Sequence, residues 1–341
     1  MKKILVTGAG GYIGILTCQK LLEKGYKVLA LDRYFFGLEK IKSLDNKNLE
    51  ILKTDIRFFD TKILKGVYAV IDCAGLSNDA TSEIDPQLTV DINFKACIRL
   101  AQAAKKNGVK RYIYSGSASV YGEGKKKALK ETDELNPITQ YAKSKSDCEK
   151  ELLKLNDNKF SVTIFRNSTV YGYSPRMRFD LAINIMTMRA WKDGVIYVMG
   201  DGSQWRPFVH VNDVVEAFLL GLESEEKLIS GEIYNVGFND QNFQIKKLAE
   251  YIKEILPSTK IIFVPDNPDK RNYNVNFDKI KNKLSFKSTI NLKDGILEIK
   301  DKLDKAIITP EDPTCYTLQW YQTLIEWDNR LNQLKYKDKI L

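Results

Sequence analysis

Tyr141 and Lys145 stand four residues apart in a stretch of helical periodicity, so their side chains share one face and their polar ends can converge. An ammonium beside a phenol favours the phenolate, which can take a proton from an alcohol and, once reprotonated, return one to a ketone. Ser117 lies just past a strand expected over 111–115 and could hold the reacting oxygen by a hydrogen bond. An isolated Tyr-x-x-x-Lys also describes an amphipathic helix with a solvated lysine. What favours chemistry is its place after a serine-rich strand exit and a glycine-rich first stretch.

That stretch, residues 2–14, passes from Ile4-Leu5-Val6 into Gly8, Gly11 and Gly14 and then into a helical pattern. Gly8 suits a tight turn, Gly11 lets backbone N–H groups close on a pyrophosphate, and Gly14 lets the helix pack on the strand. Tyr12 and Ile13 belong to the same cradle. A second strand-like run, 26–31, ends in Asp32, eighteen residues beyond Gly14, near the spacing at which a carboxylate accepts hydrogen bonds from an adenosine ribose. Asp32 suits NAD and would repel a 2′-phosphate, whereas the adjacent Arg33 could attract one; NAD is the expected cofactor. With a positive nicotinamide ring nearby, the phenolate of Tyr141 would be favoured further.

These residues need a frame. The 341 residues, 43% hydrophobic, allow one large or two fused units with an ample core. After Asp32, short apolar runs over 49–54, 67–73, 111–115 and 160–165 alternate with helical stretches over 86–106 and 141–155, which predicts an α/β, Rossmann-type doubly wound parallel sheet. Beyond about 166 the rhythm loosens. The expected organisation is an NAD-binding domain over 1–166 that holds the reactive trio, a smaller substrate-binding lobe over 167–306 interleaved with the last strands, and a helical tail over 307–341. The tail carries Tyr316, Trp320, Tyr321, Leu324 and Trp327 near helical spacing and is expected to pack as an extra helix on the lobe, with a subunit contact or a lid as alternatives.

The net charge of +9 comes from lysines spread among acids, so a solvated surface is expected rather than a nucleic-acid footprint. No apolar run approaches the roughly 20 residues of a membrane span, and no apolar signal core precedes the first strand, so the expected compartment is the cytoplasm. Cys18, Cys73, Cys97, Cys148 and Cys315 are odd in number and scattered, which suggests reduced thiols, and His210 is the only histidine, so no metal site is expected.

From its Gly-Ala-Gly-Gly-Tyr-Ile-Gly start to about residue 286, the chain resembles the extended short-chain dehydrogenase/reductase family, the nucleotide-sugar epimerases, dehydratases and reductases. The resemblance implies NAD contacts at Asp55-Ile56 for adenine, at Ala74-Gly75 beside the nicotinamide, and at Asn93 near the active site. Ser117 takes the place of the family's catalytic serine or threonine, and Tyr141-Ala-Lys-Ser-Lys145 matches its tyrosine and lysine. Lys145 would also hold the nicotinamide ribose. Arg206 looks like the substrate-diphosphate arginine, with Arg271 a weaker candidate, and His210 on the strand that follows Arg206 is expected to be structural. Many relatives read Arg-Tyr-Phe-Asn where this chain has Arg166-Asn-Ser-Thr169, so Asn167 or Thr169 would substitute for the asparagine that faces the diphosphate. Dehydratases of the family place Asp-Glu where Ala118 and Ser119 stand. The implied activity is therefore a nucleoside-diphosphate sugar epimerase, at C4 through a transient 4-keto sugar and in a homodimer. A 4-dehydrogenase, a 4-ketoreductase or a non-catalytic NAD-binding module are the rivals.

Overall fold

The computed structural model describes residues 1–341 apart from 125, 266–268, 270, 337, 338, 340 and 341. The short apolar runs become β1 (Lys3–Thr7), β2 (Lys27–Asp32), β3 (Leu49–Lys53), β4 (Val67–Asp72), β5 (Arg111–Ser117) and β6 (Ser161–Asn167). They are followed by β7 (Thr169–Tyr171), β8 (Val195–Met199), β9 (Trp205–His210), β10 (Glu232–Val236), β11 (Asn242–Gln244) and β12 (Lys260–Val264). Seven of these form one parallel sheet in the order β3-β2-β1-β4-β5-β6-β10. The order reverses between β1 and β4, and in such sheets the crevice at the strands' carboxyl ends beside the reversal is where ligands bind.

Strand side chains alternate between two apolar layers. Ile4 and Val6 of β1 face a layer shared with Ile15, Leu21, Val214 and Phe218, while Leu5 faces one shared with Leu100, Cys148 and Leu152. A third core, with Phe179, Ile183, Phe208, Leu248 and Ile296, fills the lobe. The lobe's own strands are the set β11-β9-β7 and the pair β12-β8.

A boundary at 166 cuts through β6, which runs on to Asn167, and the sheet is finished only by β10, far along the chain. The helix Val211–Glu223 lies on the sheet as well, with Val214 and Phe218 in its apolar layer. The dinucleotide-type unit thus takes back a piece of the second segment, because β6 would otherwise expose an apolar edge.

The helix expected over 86–106 starts at Pro86, with Asp85 accepting from the Leu88 N–H at 2.9 Å, and passes through a π-helical turn at Asp91–Ala96 before continuing as Cys97–Lys106. The wide turn places Asn93 inward. The tyrosine helix, Gln140–Leu155, is capped by Thr139, which accepts from the Ala142 N–H at 3.2 Å. Outward positions of these two helices carry Arg99, Lys143, Asp147 and Lys150, all exposed.

The tail starts on the lobe as expected, with Ile308 and Cys315 in its core, and goes on as the helix Thr317–Leu334. It crosses to the loop after β2: the Trp320 indole N–H donates to the Phe35 carbonyl at 2.7 Å, and Tyr321 packs against the rings of Phe35 and Phe36 at 5.6 and 5.4 Å. Lys40 joins it by donating to Thr314 at 2.8 Å. Without Trp320 and Tyr321 both phenylalanines would face water; with them Phe36 is buried and Phe35 is part-covered. No helix among the described residues is long and apolar enough to cross a membrane.

One buried cation ties β6, β10, the tyrosine helix and the turn that leaves β5 together. Arg166 of β6 donates to both oxygens of Glu149 on that helix at 2.8–3.1 Å, to the Tyr121 hydroxyl at 2.8 Å and to the Glu131 carbonyl at 3.1 Å. Tyr121 in turn donates to Asn235 of β10 at 2.8 Å. Both partners of the ion pair are only 3% exposed, so Arg166→Met should strand a buried carboxylate and cost about 3–5 kcal/mol in urea melts. Adding Glu149→Leu should recover much of that loss.

Candidate functional site

A cavity of about 750 Å³ opens where the sheet order reverses and runs on into the lobe. At one end the glycine turn forms its floor. Gly8 has a left-handed backbone, φ +65°, and a Cβ there would lie 2.7 Å from the Cys73 carbonyl oxygen. A Cβ on Gly14 would lie 2.0 Å from the Gly8 oxygen, so neither position admits a side chain without displacing main chain. Gly11, whose N–H donates to the Gly8 carbonyl at 2.9 Å, also lines the cavity, as does Ile13. Tyr12 lines it too, but its hydroxyl is spent on the lobe, donating to the Gly172 carbonyl at 2.6 Å.

Asp32 stands at the end of β2 with one oxygen accepting from the Gly10 N–H at 3.0 Å and the other from the Tyr34 N–H at 2.6 Å. Burial pushes its carboxyl above the usual range, against those backbone donors and Arg176. Each oxygen keeps acceptor capacity for a ribose hydroxyl. Arg33, in contrast, is committed: it donates to Asp55 at 2.9 Å and stacks over Phe35 at 4.7 Å. Burial opposes the charge of Asp55, but hydrogen bonds from Arg57 and Arg33 prevail and hold its carboxyl well below the usual range. Ile56 lines the slot beside it. A free carboxylate edge with a neutralised arginine fits NAD better than its 2′-phosphorylated form.

Ala74 and Gly75 leave β4 along the cavity wall. Asn93 is not on that wall. Its amide is spent behind it, accepting from the Leu76 N–H at 2.8 Å and donating to the Leu76 carbonyl at 3.0 Å, which shapes the loop there.

At the other end Ser117, Tyr141 and Lys145 meet on the cavity wall. Lys145 is 5% exposed, donates to the Ser115 carbonyl at 2.7 Å, and has its ammonium 5.8 Å from the centre of the Tyr141 ring. Burial opposes its charge, but Tyr141, Cys148, Asp72 and Cys97 more than offset this and hold its pKa above the ordinary lysine value. It is therefore a cation at neutral pH. The hydroxyls of Ser117 and Ser119 lie 2.9 Å apart, and the Ser119 N–H donates to Ser117 at 3.2 Å. This end can move one proton at a hydroxyl held between serine and tyrosine.

Towards the lobe, Asn167, Ser168 and Thr169 line the cavity. Asn167 donates to Ser115 at 3.0 Å, while its Oδ1 and the Ser168 hydroxyl are buried without a hydrogen-bond partner among the described residues. The two arginines exchange rank. Arg271 lines the cavity and is held by Asp269 at 2.7 Å and by Asp79. Arg206 is not on the cavity wall: it is 5% exposed and packs behind, paired with Asp269 at 2.9 Å and donating to the Arg271 carbonyl. Its β9 position sets it one layer back, where it props Arg271. His210 is fully buried, accepts from the Asn212 N–H at 3.2 Å as a helix cap and meets Glu298 at 3.0 Å, a structural role.

Sequence reasoning missed Arg176 and Arg178, both buried and both on the cavity wall. Arg178 forks onto Asp180 with two bonds of 2.9 Å. The signal was there: only eleven of the 53 basic residues are arginine, and two stand at i, i+2 just past a strand.

Residues 4–237 match the sequence profile of the NAD dependent epimerase/dehydratase family. A protein of Methanocaldococcus jannaschii described as a putative UDP-glucose 4-epimerase is 32% identical over 306 residues, covering 87% of this chain and 96% of its own. UDP-glucuronic acid decarboxylase 1 of Arabidopsis thaliana is 26% identical, over 91% of this chain and 72% of its own. The structure of UDP-glucuronic acid 4-epimerase from Bacillus cereus, in complex with UDP-glucuronic acid and NAD, superposes with a TM-score of 0.79 at 27% identity, covering 89% of this chain and 99% of that one.

Gly8→Ala places a side chain in the left-handed region and against the Cys73 carbonyl. It should cost at least about 1–2 kcal/mol from the backbone alone and weaken dinucleotide binding, measured by thermal melts and by titration with NAD.

Proposed function

The chain belongs to the NAD-dependent epimerase/dehydratase family, and from that membership we propose that it is a UDP-sugar 4-epimerase acting through a transient 4-keto sugar. The observation that supports this most is the make-up of the reacting end, where Ser117, Tyr141 and Lys145 converge without a free carboxylate among them. The carboxylates on the cavity wall are engaged elsewhere. Asp32 and Asp55 serve the adenosine end, Asp79 pairs with Arg271 and Thr139, Asp85 caps a helix, and Asp328 rides on the tail. Elimination of water across two sugar carbons wants an acid and a base of its own. Oxidation and return wants only a proton shuttle.

NAD, when bound, supplies the acceptor and later the donor of the hydride. Tyr141 as phenolate takes the C4 hydroxyl proton while the C4–H bond gives up its hydride, which leaves a carbonyl at C4. Lys145 sets its ammonium beside the Tyr141 ring and is placed to hold the nicotinamide ribose, and Ser117 keeps the oxygen in line. Return of the hydride to the opposite face, with the proton from Tyr141, completes the inversion. Asn167, Thr169 and Arg271 would hold the sugar nucleotide, since a guanidinium can meet a diphosphate with paired, charge-assisted hydrogen bonds. A homodimer is part of the same reading.

Tyr141→Phe should keep folding and NAD binding while lowering kcat by about 10²–10⁴-fold; near-normal turnover would end this mechanism. Arg271→Ala should raise KM for the sugar nucleotide by about tenfold or more, the worth of a hydrogen bond to a charged group. Arg206→Ala should do less, because Arg206 acts through Asp269. The net reaction is decided by NMR of UDP-sugars incubated without added cofactor. A C4 stereoisomer of equal mass supports the epimerase, loss of carbon dioxide from a UDP-uronic acid would make it a decarboxylase, and stoichiometric keto-sugar with reduced cofactor a dehydrogenase.

A further inference from the structure

Arg176 is 2% exposed, yet its Nε and Nη1 have no hydrogen-bond partner among the described residues. Only Nη2 is engaged, donating to the Thr317 hydroxyl at 2.9 Å, and the guanidinium lies 3.7 Å over the Phe36 ring. Asp180, the nearby acid, is taken by Arg178. Burial, with repulsion from Arg178, pulls the Arg176 pKa down to about 10. A desolvated cation with idle donors is costly, and an anion on the cavity side is what offsets it.

Its neighbours say which anion. Phe36 follows Asp32 by four residues, and Asp32 itself feels the Arg176 charge. Ser174, two residues before, donates to the Tyr12 carbonyl at 2.8 Å, so this segment lies directly on the glycine turn. Arg176 therefore stands between the carboxylate suited to the adenosine ribose and the turn suited to a pyrophosphate. Arg271 and Asn167 mark the other, substrate end.

We propose that Arg176 is a phosphate-binding residue that donates to the diphosphate of the bound dinucleotide, held in position by Phe36 and by Thr317 of the C-terminal helix. The inference rests on the cleft being a dinucleotide site. Calorimetric titration of the full-length chain, freed of nucleotide, with NAD, ADP-ribose, adenosine and UDP separates the two. In Arg176→Met, affinity for NAD and ADP-ribose should fall by about tenfold to a hundredfold, with adenosine and UDP unchanged. Arg176→Lys, which keeps the charge without the fork, should recover part of the loss. Equal weakening of adenosine would mean a merely structural role, and weakening of UDP alone would assign the residue to the substrate; either overturns the proposal, as does unchanged NAD affinity. A wild-type chain that bound neither adenosine nor NAD would overturn the dinucleotide reading itself.

Discussion

The elements that carry Ser117, Tyr141 and Lys145 are tied together behind the cleft by one buried guanidinium. Arg166 reaches from β6 to the helix that carries Tyr141 and Lys145, and to the segment that leaves β5 past Ser117. Its chain of contacts runs on through Tyr121 to Asn235 in β10. In a low-dielectric interior such a network is stiff, because any displacement leaves a charge without its partner. Ser117 comes from one element and Tyr141 and Lys145 from another, and among the described residues no hydrogen bond joins Ser117 to either. What aligns them is the shared anchor behind.

Much of the architecture was legible because its causes are local. A glycine that must adopt φ +65° and a second that must admit the first one's carbonyl leave little latitude at Gly8 and Gly14. The alternation of apolar runs with helical periodicity marked the strands along the chain and the parallel sheet, though not their order within it. The edge of the domain was legible only in outline, as a lobe interleaved with the last strands. β10 returns to the sheet after some sixty residues of lobe, and its sequence looks like any other short strand; only pairing with β6 shows where it belongs.

The site divides in the same way. Tyr141 and Lys145 could be joined on paper because helical spacing fixes their common face. Arg206 was ranked above Arg271 on resemblance, but Arg271 is the one on the cavity wall, since which of two arginines faces a cavity depends on how β9 sits against a loop 65 residues later. Asn93 was placed near the active site, but its part in shaping the loop at Leu76 depends on a π-helical turn that periodicity does not announce. Arg176 and Arg178 lay in an irregular stretch, where spacing says least about direction. The tail's aromatic stripe suggested a packed face without saying on what; Trp320 and Tyr321 meet two phenylalanines 285 positions earlier, while Trp327 and Leu331 stay exposed.

That tail bears on how the protein relates to metabolism. Tyr321, Leu324 and Ile325 form part of the cleft's wall, and the same helix is pinned to the loop after β2 by Trp320. If that helix has to part from the loop before a nucleotide can leave, the rate of leaving depends on local stability as well as on ligand affinity. Catalysis that returns its own hydride within one residence is then insulated from the ratio of oxidised to reduced nicotinamide in the surrounding pool. The enzyme would keep one pace whether that pool was rich or starved.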